Sequence, residues 1–181
     1  MSNPKPSQTL SIENAYRLPE TVTPISYEIK LNPDLAGFKF SGSETIALNI
    51  RTATNEILFN AIDLQIENVR IEKDDDETCE TAQVKMEKEN ERVRLVFPTT
   101  LAAGNWHLKL DFSCEINDKL RGFYRSAQAL KDGEKSWIAL TQFEATDARR
   151  AFPCFDEPSF KATFKLTLCV DKDLTALSNT S

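Results

Sequence analysis

A chain of 181 residues with 40% apolar side chains can bury a core of its own, which excludes a disordered protein and predicts one domain, or one domain with an appendage. A charged fraction of 28% and a formal net charge of −6, with both signs mixed along the chain, exclude a nucleic-acid partner because such a surface repels phosphate. The apolar runs fall far short of the roughly 20 residues needed to cross a bilayer, and the start of the chain has no signal-peptide core, so no membrane partner and a cytoplasmic location are expected.

Residues 1–15 are polar, carry Pro and Ser, and have no apolar period, which predicts a flexible leader. The folded domain is expected over 16–181, beginning at Tyr16-Arg17-Leu18-Pro19. Ile25, Tyr27, Ile29 and Leu31 alternate with polar residues, the period of a strand with one buried face. Ile46, Leu48 and Ile50 repeat that pattern, as do Ile62, Leu64 and Ile66, and then Val69 and Ile71.

The run Asp74-Asp75-Asp76-Glu77 invites a calcium reading because hard cations prefer carboxylates. It lacks the spacing and glycine of a calcium loop and reads better as a solvated turn. Val84 and Met86, the charged stretch 87–91, and Val93, Leu95 and Phe97 predict a hairpin with its loop in water. Trp106, Leu108, Leu110 and Phe112 form a further alternating strand, and Phe164, Leu166, Leu168 and Val170 the last one. No window sustains a helical period, so the class is all-β: a sandwich or open barrel of mostly antiparallel strands, since a parallel sheet would need helices between strands.

Cys79, Cys114, Cys154 and Cys169 form no C-x-x-C pair, so neither a zinc knuckle nor a redox motif is indicated. Four free thiols suit a reducing compartment, while the even count leaves a disulfide framework open. Asn179-Thr180-Ser181 has the form of a glycosylation sequon, a triplet that arises often by chance.

Between Trp137 and Phe164 the alternation gives way to a dense mixture of aromatic and charged residues, as if a strand ran into a structured loop. Buried charges need partners, and Arg149 and Arg150 beside Asp147, Asp156 and Glu157 can supply them. Taken alone, Glu144 reads as a solvated strand residue or a partner for Arg149. Cys154 reads as a small buried thiol, because His107 lies far off in sequence and a Cys-His catalytic pair is not indicated.

This segment resembles a known family, the zinc aminopeptidases of the aminopeptidase N and puromycin-sensitive aminopeptidase type. The resemblance rests on Thr141-Gln142-Phe143-Glu144, on Asp147-Ala148-Arg149-Arg150-Ala151-Phe152-Pro153-Cys154-Phe155-Asp156-Glu157-Pro158, and on Lys161-Ala162-Thr163-Phe164. Weaker agreement at Phe40-Ser41-Gly42-Ser43-Glu44, Leu120-Arg121-Gly122-Phe123-Tyr124-Arg125-Ser126 and Ala176-Leu177-Ser178-Asn179 extends it over nearly everything after the leader.

The resemblance implies a twisted, saddle-like β-sandwich that leans on a separate catalytic domain and sends a Gln-x-Glu loop into its cleft. It implies that Glu144 takes the α-ammonium at the N-terminus of a peptide substrate and that Gln142 lines the pocket for the first side chain. Arg149, Asp156 and Glu157 are then expected to hold the loop by ion pairs, and Pro153 and Pro158 to fix turns.

A zinc peptidase needs H-E-x-x-H on a helix and a further protein ligand, and this chain has one His. Zinc is therefore expected in the full-length parent and not on this chain, which is expected to be inactive by itself. The family's β domain continues past the position of Ser181, so the chain is expected to be truncated, to lack its catalytic domain, and to self-associate through an unpaired sheet edge. Competing readings are a catalytically inactive relative that uses the domain for protein interaction, and a free-standing binding sandwich. A branch that hydrolyses leukotriene epoxides typically carries Gln where this chain has Glu144.

Overall fold

The computed structural model describes residues 17–74, 79–129 and 133–179. The expected leader, Tyr16, Asp75 to Glu77 of the acidic run and the last two residues of the sequon lie outside them.

The alternating segments become strands. β1 (Val22–Asp34), β2 (Lys39–Ile50), β4 (Gln65–Lys73), β5 (Cys79–Thr81), β8 (Gly104–Glu115) and β11 (Thr163–Leu168) form a six-stranded sheet in the order β11-β1-β2-β8-β4-β5. β3 (Thr54–Asn60), β6 (Gln83–Glu87) and β7 (Arg92–Leu101) form a second sheet in the order β3-β7-β6, and β9 (Gly122–Ala129) pairs with β10 (Lys135–Gln142). All pairings are antiparallel except β1 with β11.

The class is all-β, and the two larger sheets face one another as a sandwich. Ile46, Leu48 and Ile50 of β2 and Leu108 of β8 share one core with Ile57 and Phe59 of β3 and Val93 and Leu95 of β7, each at most 1% exposed. Each such side chain contributes on the order of 1.5–3 kcal/mol by leaving water. The hairpin predicted around residues 87–91 is β6–β7, with a single 3-10 turn at its tip.

Two expectations are corrected, and one strand was missed. Ile62, Leu64 and Ile66 do not form a strand together: Asp63 takes a left-handed φ of 60°, and β4 begins only at Gln65. The backbone N–H of Ile62 instead donates to the carbonyl of Arg149 at 2.9 Å, so this bend is a bracket for the motif segment. The strand β3, which carries Ile57 and Phe59, was not indicated by alternation because Leu58 follows Ile57 directly and blurs the period. The last strand ends at Leu168 and is only partly covered: Phe164 stacks on Tyr27 and Leu168 packs against the core, yet Phe164 stays 56% and Leu166 44% exposed. Its parallel pairing with β1 needs no crossover helix because nine other strands separate the two in sequence.

Candidate functional site

β10 delivers the motif. Its last residue, Gln142, pairs with Gly122 at the start of β9, and the chain then leaves the sheet at Phe143. Gly122 has a φ of +65°, and a Cβ there would lie 2.5 Å from the Cβ of Arg150. Only glycine lets β9 pass so close beneath the turn that follows the motif. The pair β9–β10 is tethered to the large sheet by Arg125, whose guanidinium lies 4.2 Å from the Phe38 ring centre and donates to the carbonyl of Ile116.

Beyond Phe143 the chain folds back. The N–H of Asp147 donates to the carbonyl of Phe143 at 2.9 Å, a 3-10 turn spans Ala148–Arg150, and the Glu144–Ala145 peptide bond is cis. The Phe143 ring meets Phe152 edge-on at 5.9 Å, and Phe152 in turn packs on Tyr27 and Phe164. Cys154 and Asn60 exchange backbone hydrogen bonds of 3.0 and 2.7 Å, which pins the returning strand to β3.

Charge does the rest of the anchoring. Arg149 is buried; its Nε donates to Asp156 at 2.9 Å, one terminal nitrogen to Glu91 at 3.0 Å and the other to the Asp156 carbonyl at 3.3 Å. Arg150 pairs with Asp147 at 2.8 Å and reaches Asp63 at 3.2 Å. Glu157 does not join the Arg149 cluster: it pairs with Arg17 at 3.2 Å and accepts the N–H of Leu18, tying the loop to the start of the fold. The expected ion-pair role thus holds for all three residues, with Glu157 serving a different cation.

Gln142 and Glu144 lie side by side on the exposed surface of this braced loop, where the Glu144 N–H donates to the Gln142 side-chain oxygen at 3.2 Å. The Glu144 carboxylate enters no ion pair among the described residues, and Arg149, its local candidate partner, is committed elsewhere. Cys154 is 5% exposed and packs in the core, and burial pushes its thiol well above the ordinary range. Sequence reading carried Gly122 only within a motif; the structure makes it a positioning residue, and the signal for it was a glycine opening a strand after a charged turn.

No three His, Cys, Asp or Glu side chains converge as metal ligands among the described residues. His107 pairs with Asp74 at 2.8 Å. Among the described residues the donor set does not fit a zinc ion.

Residues 23–181 match the family model described as the peptidase M1 N-terminal domain. The chain belongs to that family. Among curated relatives, this M1 N-terminal domain is 45% identical over 163 residues to aminopeptidase M1-B of Oryza sativa subsp. japonica, covering 90% of the chain and 18% of the relative. It is 40% identical over 174 residues to the puromycin-sensitive aminopeptidase of Caenorhabditis elegans, covering 96% of the chain and 18% of the relative. It is also 40% identical over 181 residues to aminopeptidase 2, mitochondrial, of Saccharomyces cerevisiae, covering 97% and 18% respectively. The M1 N-terminal domain therefore spans about a fifth of the length of the relatives it matches.

Proposed function

We propose that this chain is the substrate-anchoring domain of a zinc-dependent aminopeptidase, in which Glu144 binds the free α-ammonium of a peptide and Gln142 lines the pocket for its first side chain. The observation that carries the reading is an unengaged carboxylate on a loop held from every other side. Arg149, Arg150 and Glu157 spend their charges on fixing the loop, and the one acid left over, at 144, is presented outward.

Such a carboxylate recognises a cation at the chain end by charge-assisted hydrogen bonds, which strengthen when a second domain covers the site and excludes water. It also rejects peptides whose amine is blocked, because a covered anion without its cation is costly. Removal of single N-terminal residues follows from that register. The bond-breaking residues and the zinc belong to the catalytic domain of the parent, and this chain contributes binding and orientation.

Glu144→Gln in the parent is expected to lower kcat/KM for peptides with a free amine by about 30-fold or more, from the roughly 2–5 kcal/mol lost on breaking a buried charge pair. N-acetylated peptides gain relative to free ones. Unchanged kinetics remove Glu144 from the site. The isolated chain is expected not to hydrolyse amino-acid anilides with or without added zinc, and turnover that survives rigorous purification refutes the division of labour.

The exposed apolar side chains beside the motif, Ile138, Leu140 and Phe143, suit contact with the catalytic domain of the parent. For the isolated chain, the outer edge of β11, which pairs with no strand among the described residues, suits pairing with a second copy. A strictly monomeric mass by light scattering at high concentration refutes that pairing. The four unpaired thiols favour a cytoplasmic parent. Fractionation that places it in a secretory compartment overturns this.

A further inference from the structure

Glu44 occupies a position that an aliphatic residue would fill. It stands in the inward row of β2 between Gly42 and Ile46, is 3% exposed, and neither carboxylate oxygen has a hydrogen-bond partner among the described residues. Ile29 of β1 and Leu110 of β8 lie directly opposite it in register. Tyr27 is its diagonal neighbour on β1, being opposite Ile46, and lies on the same face.

Glu44 acts on two further buried acids here, Tyr27 and Cys154. Tyr27 comes from β1 and Cys154 from the motif segment; burial raises both well above their ordinary ranges, and a negative charge on Glu44 raises them further. Asp156 adds negative charge near both, and Arg149 acts on Cys154. On the β8 side the neighbour is apolar. Among the described residues no cation pairs with Glu44, and burial pushes its carboxyl well above the usual range.

The same groups seat the motif segment. The Phe155 N–H donates to the Tyr27 hydroxyl at 3.1 Å, Phe152 packs edge-on against the Tyr27 ring at 6.3 Å, and Cys154 is bonded to Asn60. Ionising Glu44 places an uncompensated anion under this seat.

We propose that Glu44 makes the docking of the segment 149–157 on the large sheet depend on pH: the segment closes over a neutral carboxyl, and loss of that proton to solvent loosens it. The sign follows from linkage. The unfolded carboxyl ionises in the ordinary range and the buried one later, so the stability is fully present below the unfolded value and is lost as pH rises through the folded one.

Cys154 supplies the reporter. In a chain carrying Cys79→Ser, Cys114→Ser and Cys169→Ser, Cys154 is the remaining thiol of the four, and its alkylation by iodoacetamide reports opening of the segment. Rates measured from about pH 5 to about pH 8, with and without Glu44→Gln, share the same reagent chemistry, so their ratio isolates position 44. The chain that keeps Glu44 is expected to label faster relative to Glu44→Gln as pH rises, by about 10-fold across the range. A ratio constant within about 2-fold overturns the proposal.

Glu44→Leu guards against a poorly tolerated amide. Its urea midpoint is expected to exceed that of the unsubstituted chain by a gap that widens as pH rises, and a gap independent of pH also overturns the proposal.

Discussion

Replacing Arg149 by Ala removes the cation on which the motif segment closes. The guanidinium is 10% exposed and its principal partner Asp156 16%, whereas Glu91 is 43% exposed. Breaking the Asp156 arm leaves a nearly buried carboxylate without a cation, at a cost of about 3–5 kcal/mol. The Glu91 arm is screened by solvent and adds no more than about 1 kcal/mol. A loss of roughly 4 kcal/mol is a large share of the 5–15 kcal/mol typical of a domain. With a urea slope near 2 kcal/mol per molar, it moves the unfolding midpoint down by about 2 M. The double variant Arg149→Met with Asp156→Leu removes both charges, and most of the loss is expected to return. The assay is urea unfolding followed by tryptophan fluorescence on the single and double variants. A single-variant loss below about 1 kcal/mol, or a double variant no more stable than Arg149→Ala, refutes the argument that burial makes this pair decisive.

Two glycine substitutions test close approaches. Gly42→Ala brings a Cβ within 2.4 to 2.9 Å of three atoms of the Phe112 ring in the middle of the large sheet. Overpacking of that kind costs about 1–3 kcal/mol, and an unchanged melting temperature shows that the ring moves freely. Gly122→Ala meets both a left-handed φ of +65° and the Cβ of Arg150 at 2.5 Å. The left-handed conformation alone costs about 1–2 kcal/mol. The motif turn must shift as well, so in the parent the variant is expected to raise KM for free-amine peptides although it touches no substrate. A stability loss without any change in KM shows that Gly122 does not position the loop.

The sheet was legible wherever a strand buries one face and keeps the other wet. β2, β7, β8 and β1 from Ser26 onward alternate over long stretches, and four of the five residues at 87–91 are charged. Ile25, expected in the buried row, is 46% exposed because a bulge between Pro24 and Ser26 shifts the register. The period misled at Ile62, Leu64 and Ile66 because apolar spacing carries no information about φ, and Asp63 breaks the extended backbone with a left-handed turn. It was also silent on what covers a strand. Phe164 and Leu166 alternate as buried residues would, yet both are exposed, since the period records that a face is apolar and not which surface meets it. The motif residues were found by resemblance. Asp147 and Asp156 were legible as partners of the two arginines from their closeness in sequence, but Glu91 and Asp63 were not, because they come from distant turns that no spacing rule connects to Arg149 and Arg150.

The surplus of acid in the motif explains why one carboxylate is left to face outward. Between residues 142 and 158 the chain places Glu144, Asp147, Asp156 and Glu157 against Arg149 and Arg150. Asp147 and Asp156 take the two arginines at 2.8 and 2.9 Å, and Glu157 takes Arg17 and a backbone N–H from the start of the fold. Those arginines reach further to Asp63 and Glu91 on other loops, so their charge is already shared when position 144 is considered. A carboxylate left over in this way, next to rings of Phe143 and Phe152 that hold the backbone still, keeps its affinity for an incoming cation without first having to release an internal one. An arginine newly placed at 147 reverses that condition: Asp147→Arg adds a cation beside Arg150, at the close of the turn in which the residue 147 N–H bonds the Phe143 carbonyl around Glu144. Recognition of a free amine should then weaken even though Gln142 and Glu144 are both intact, and a parent carrying Asp147→Arg that binds free-amine peptides as before would show that the leftover charge is not what selects them.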